Sequence, residues 1–171
     1  MIIAPRSARE KTIMKILIFC FLLLAPFPAA APAADDEILP GLREEVVQVP
    51  VRIDGLFGSK DVNLTATIFR PHGDGPLPLV VLSHGTPPHA EDRVKIGRFR
   101  RIPQIREFIK RGFAVIVPIR RGHGATGGDY AEDKGKCASP VYYEAGRAAG
   151  GDIVAAVDYA VKLPFVRPEC V

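Results

Sequence analysis

The sequence predicts an α/β fold, and three observations predict it. Two short runs, "LVVLS" at 79–83 and "FAVIVPI" at 113–119, are apolar almost throughout, as strands covered on both faces are. Between them "IPQIREFIKRG" carries Ile102, Ile105, Phe108 and Ile109 at helical spacing. Ahead of them stand two β-branched segments with partial alternation, "EEVVQVPVRI" at 44–53 and "VNLTATIFRP" at 62–71.

The chain begins with a segment that does not belong to that fold. "MIIAPRSAREKTIMK" is basic, "ILIFCFLLLAPF" is apolar and short, and "PAAAPAADDE" is small and then acidic. This order reads as a secretory signal peptide over residues 1–34, with cleavage near Ala33 or Ala34 after the small-x-small Ala31-Pro32-Ala33. Ile16 to Phe27 is too short to cross a bilayer, so no stable membrane anchor is expected after cleavage; an uncleaved anchor is the alternative. A periplasmic or secreted location follows. Met14-Lys15 would itself open a compact signal peptide, and Phe19 before Cys20 excludes a lipobox.

The leader also carries most of the basic charge. Residues 35–171 hold 19 Lys and Arg against 18 Asp and Glu, a net +1 where the whole chain has +4. Composition therefore gives no ground for nucleic-acid binding. One cluster remains, "RVKIGRFRRIPQIREFIKR" from Arg93 to Arg111, which reads as a solvated loop and helix face, with an anion site as the alternative. Residues 35–171 suffice for one domain with one core, and neither a repeat nor a second linker interrupts them.

Within that domain the elements follow in order. The two alternating segments form an antiparallel hairpin around "DGLFGSKD", "HGDGPLP" breaks the chain, and "LVVLS" enters as a central parallel strand. After "HGTPPHAED" the Ile102–Ile109 helix ends near Gly112, where a C-terminus favours glycine, and "FAVIVPI" closes a βαβ unit whose crossover should be right-handed. Finally "YYEAGRAAGGDIVAAVDYAVKLP" repeats Val154, Val157 and Val161 at helical spacing, and Pro164 closes that helix.

The loop after "FAVIVPI" poses the main functional question. "GHGATG" at 122–127 matches the G-x-G-x-x-G of dinucleotide-binding turns. Such a turn must follow directly on a strand and open a helix whose amides face the pyrophosphate. Here Arg120 and Arg121 intervene before Gly122, and the polar "GDYAEDKGKCASP" that follows cannot pack as a helix. Nor does Lys-Ser or Lys-Thr follow Gly127, as a phosphate-binding P-loop requires. Gly122, Gly124, Gly127 and Gly128 are thus structural glycines that let a loop turn sharply at the carboxyl end of a strand, and no cofactor is expected.

Taken together, "LVVLSHGTP" at 79–87, "FAVIVPIRRGHGATGG" at 113–128 and "GGDIVAAVDYAVKLPFV" at 150–166 resemble the α/β-hydrolase superfamily, in its dienelactone hydrolase and prolyl-oligopeptidase-like branch. The resemblance implies a three-layer α/β-hydrolase-type sheet. It also implies an oxyanion hole with one backbone donor after the His-Gly pair: the Thr86 N–H, with Gly85 permitting the bend and His84 positioning the loop. The substrate of the full-length enzyme would be a small ester, lactone or peptide.

The family's nucleophile, a serine on a G-x-S-x-G elbow, has no counterpart in this chain. Gly135-Lys136-Cys137-Ala138-Ser139 comes nearest, but no apolar strand leads into it and Pro140 cuts off a helix. His72, His84, His89 and His123 do not follow a nucleophile in the family's order and read as loop and surface histidines, without metal-ligand spacing. Catalytic residues are therefore expected outside these 171, the fold being truncated before the elbow strand that pairs beside the third strand; that side would be an apolar edge. Cys137 and Cys170, both in irregular proline-flanked segments, are expected to form a disulfide in an oxidising compartment. The oligomeric state has no signature. The reading is the N-terminal portion of an exported serine hydrolase, inactive alone, or else a non-catalytic binding domain derived from one.

Overall fold

A computed structural model describes residues 38–55, 58–73 and 75–171. The expected signal peptide lies outside the described residues. After a 3-10 turn at Pro40–Leu42, strand β1 (Glu45–Gly55) pairs antiparallel with β2 (Gly58–Phe69) in register from Glu45 opposite Ile68 to Gly55 opposite Gly58. The hairpin is longer than expected, because Asp54, Gly55 and Gly58 to Asp61 join the ladder rather than the turn.

Strand β3 (Leu79–Val81) leads through a short helix α1 (Ala90–Val94) and helix α2 (Ile102–Lys110) to β4 (Ala114–Pro118), which is parallel to β3 and antiparallel to β2. The sheet order is β1-β2-β4-β3. The strand expected to be central, β3, is thus the last in this sheet. A two-residue hairpin, β5 (Gly135–Lys136) and β6 (Ser139–Pro140), precedes helix α3 (Tyr142–Ala160). Neither α1 nor this hairpin was legible, since each is short and polar.

Alternation along β4 explains its uninterrupted apolar run. Ala114 and Ile116 pack with Leu64, Ala66, Ile68, Ala156 and Ala160 on the α3 side, whereas Val115 and Val117 pack with Phe69 and Ile105 on the α2 side. Helices therefore cover the sheet on both faces, an α/β arrangement around a mixed sheet. Each fully buried aliphatic side chain contributes roughly 1.5–3 kcal/mol, so the two clusters supply the main stabilising force.

The buried face of α3 differs from the expected one. Asp152, Ala156 and Ala160, spaced four apart, face inward, while Val154 is 56% exposed. Small side chains let the helix lie close against β1 and β4, and a valine stripe would hold it further off.

Past α3 the chain turns and runs beside β3 on its outer edge. Leu77 and Val166 form a parallel bridge: the Leu77 N–H donates to the Phe165 carbonyl and the Arg167 N–H to the Leu77 carbonyl, both at 2.8 Å. The Leu79 N–H then donates to the Cys170 carbonyl, also at 2.8 Å. By strand alternation Val81 directs its backbone groups to that same edge.

This course also settles the cysteines. Both are free thiols. Cys170 lies beside the start of β3, while Cys137 lies in the exposed turn between β5 and β6, which follows the loop at the carboxyl end of β4. The expected Cys137–Cys170 disulfide is therefore not formed, because the two segments sit at opposite ends of the parallel strands.

Candidate functional site

Carboxyl ends of β3 and β4 bring together the His84-Gly85-Thr86 loop and the glycine loop. His84 is 4% exposed. Its Nε2 accepts the Arg120 N–H at 3.1 Å, so the ring proton resides on Nδ1, which donates to the Gly85 carbonyl at 2.7 Å. Burial pushes this histidine down to about 4, and the nearby Arg120 charge adds to the effect against the opposing Gly85 bond. The Nε2 bond ties the loop to the segment just past β4, and the Nδ1 bond stays within the loop.

Beneath the loop lies a buried ion pair that was not singled out from the sequence. The Arg120 guanidinium meets the Glu132 carboxylate through Nε and Nη2, and it also reaches Ser83 Oγ, the His84 carbonyl at 2.6 Å and Thr86 Oγ1 at 3.0 Å. The Thr86 hydroxyl donates to Glu132 Oε2 at 2.6 Å. Burial works to raise the Glu132 carboxyl, but the bonds from Arg120 and Thr86 outweigh it and hold it below the usual carboxylate range. Among the described residues the Thr86 N–H donates to nothing. Gly85 and Thr86 line two clefts, one of about 330 Å³ against Tyr130, Lys134, Tyr142 and Gly146, and one of about 290 Å³ against Pro87, Ile96 and Phe99.

The glycine loop is built by close packing. Gly122 has φ +75°, and a Cβ there would lie 2.4 Å from the Tyr130 Cα; Gly124 has φ +33°, and a Cβ there would lie 2.2 Å from the Gly97 carbonyl oxygen. At Gly127 and Gly128 there is open space, and only the positive φ favours glycine. No helix begins in this loop; the next one starts at Tyr142. The loop is instead tied inward, with Thr126 Oγ1 accepting the Thr65 N–H at 2.9 Å and Asp152 of α3 accepting both the Arg121 N–H at 2.9 Å and its Nε at 2.7 Å.

Two of the histidines read as loop and surface residues do lie in loops but are buried rather than on the surface. His123, like His84, is buried, its ring 4.7 Å from that of His84 and 5.5 Å from Tyr130, and the Arg93 guanidinium stacks 3.8 Å over Tyr130. The basic cluster is likewise only partly a solvated face. Arg98 and Arg100 each reach the buried Glu44 at 2.8 Å, while Lys110 and Arg111 pair with Glu107 on the surface of α2. Among the described residues no His, Cys, Asp and Glu group is placed to hold a metal, and no helix is long and apolar enough to cross a membrane.

Neither a protein-family model nor a curated protein matches the chain. Solved structures similar to it include a CocE/NonD family hydrolase from Staphylococcus aureus, at 14% identity and TM-score 0.40 over 83% of this chain and 27% of that one. An acetyl xylan esterase from Paenibacillus sp. R4 aligns at 21% identity and TM-score 0.41, over 73% of this chain and 43% of that one. An α-amino acid ester hydrolase aligns at 19% identity and TM-score 0.39, over 83% of this chain and 23% of that one. The chain spans less than half the length of each. TM-scores of this size do not establish a common fold.

Proposed function

We propose that this chain is the N-terminal portion of an exported serine α/β-hydrolase acting on an ester, lactone or peptide bond, and that it supplies the oxyanion side of the active site. The observation that carries this reading is the Thr86 loop. It stands at the carboxyl end of the partly buried parallel strand β3, its side chains are bonded inward, and the Thr86 N–H is left without a partner beside two clefts. A donor fixed in advance is what stabilises the negative charge that develops on a carbonyl oxygen during acyl transfer. Supporting it, Val166 forms a parallel bridge with Leu77 just ahead of β3 and the Cys170 carbonyl accepts the Leu79 N–H, on the side where the family pairs its elbow strand.

The nucleophile would come from residues beyond these 171. Among the described serines, Ser59 bonds to Asp54 and Arg52 on the exposed hairpin, Ser83 is held by Arg120, and Ser139 is exposed in β6. The isolated chain is therefore expected to leave p-nitrophenyl acetate at the background rate. Reading the DNA that follows codon 171 tests the assignment. A frame encoding an apolar strand and G-x-S-x-G supports it; downstream sequence with no such element in any frame overturns it and leaves a binding domain.

A further inference from the structure

A guanidinium has five N–H donors and no acceptor. In Arg120 all five are engaged inside the protein: Nε on Glu132 Oε1, Nη1 on Ser83 Oγ and the His84 carbonyl, Nη2 on Thr86 Oγ1 and Glu132 Oε2. None remains for a substrate. The acceptors other than Glu132 all belong to the stretch 83–86, and the one residue there that Arg120 does not touch, Gly85, is bonded by His84, whose other nitrogen takes the Arg120 main-chain N–H. With side-chain exposures of 5% and 7%, Arg120 and Glu132 are too well shielded for their attachment to be a loose surface pairing.

We propose that Arg120, seated on Glu132, is the positioning residue of the Thr86 loop, holding the Thr86 N–H in one direction without touching the substrate. This rests on the oxyanion role assigned to Thr86 above. Charge balance for Glu132 alone would be met by a lysine. Reaching Ser83, His84, Thr86 and both Glu132 oxygens at once needs the planar fork. The distinction is measurable.

The experiment is 15N relaxation on the chain carrying Arg120→Lys, with Glu132→Gln as the second variant should the first fail to fold. The glutamine amide would keep one acceptor oxygen but replace the other by an NH2 that cannot accept from Arg120 or Thr86. In the unmodified chain the Gly85 and Thr86 amides should show order parameters near the rigid value of about 0.85, and either variant should lower them below about 0.6 while the β1, β2 and β4 amides keep theirs. Rigid Gly85 and Thr86 amides in a folded variant would overturn the proposal. Titration with sodium butyrate, whose carboxylate offers an oxygen to a free N–H, separates the two readings. A Thr86 amide shift that Arg120→Lys abolishes supports both. Loss of order in the variant with no butyrate shift in the unmodified chain upholds the positioning role and counts against the oxyanion reading alone.

Discussion

Lowering the pH from 7.5 to 4 should remove stability through one residue in particular, His84. Its two ring nitrogens are both used in the neutral form, one as acceptor for the Arg120 N–H and one as donor to the Gly85 carbonyl. Protonation turns the acceptor into a donor facing a donor, beside a guanidinium. The folded-state value of about 4 lies below the ordinary 6.5, so the unfolded chain takes up the proton first as pH falls. Stability contributed by the neutral ring is therefore whole above about pH 6.5, declines through the interval down to about 4, and is flat below it. At about 1.4 kcal/mol per unit the loss is about 3 kcal/mol, a large fraction of what a domain of this size holds. Urea unfolding at pH 7.5, 6, 5 and 4 would measure it, with His84→Gln as reference, since the Gln carbonyl can still accept the Arg120 N–H but does not titrate. Carboxylates such as Glu132, which lose their own contribution in acid, act in both proteins and cancel in the difference. The advantage of the histidine protein over the variant should shrink by about 3 kcal/mol across that range. Parallel pH curves, or an NMR titration of His84 with its midpoint above 6, would refute the reasoning.

Two further outcomes follow from packing. Gly124→Ala should cost at least about 2 kcal/mol, because its Cβ meets the main-chain carbonyl of Gly97, whereas Gly128→Ala, strained only by its φ of +77°, should cost about 1 kcal/mol in the same denaturant assay. On α3, Ala156→Leu should destabilise by about 1–3 kcal/mol through overpacking, while Val154→Lys on the exposed face should shift stability by no more than about 0.5 kcal/mol; equal effects would mean that the helix presents its valines after all.

What the sequence revealed and what it hid divide along a physical line. β1, β2, β4 and both long helices announced themselves through periodicity, because burying one face or both leaves a regular apolar record. The Thr86 loop was legible through its His-Gly pair at a strand end. Arg120 and Glu132 were not: the one read as part of a basic pair after a strand, the other as a member of a polar loop, and their pairing across twelve residues leaves no periodic trace. The inward face of α3 was misassigned for a related reason. Asp152 sits on the buried stripe, and a charge there argues against burial until its partner, Arg121, is known. The disulfide failed because pairing depends on which end of the sheet each cysteine reaches, a property of topology rather than of spacing.

Strand β4 sends alternate side chains into two separate apolar clusters, Ala114 and Ile116 to one and Val115 and Val117 to the other. Its five residues are the shared wall of two rooms, neither of which stands without it. Melting one cluster bares a face of the strand that the other cluster needs, so loosening of one layer weakens the opposite one and the two are expected to unfold together.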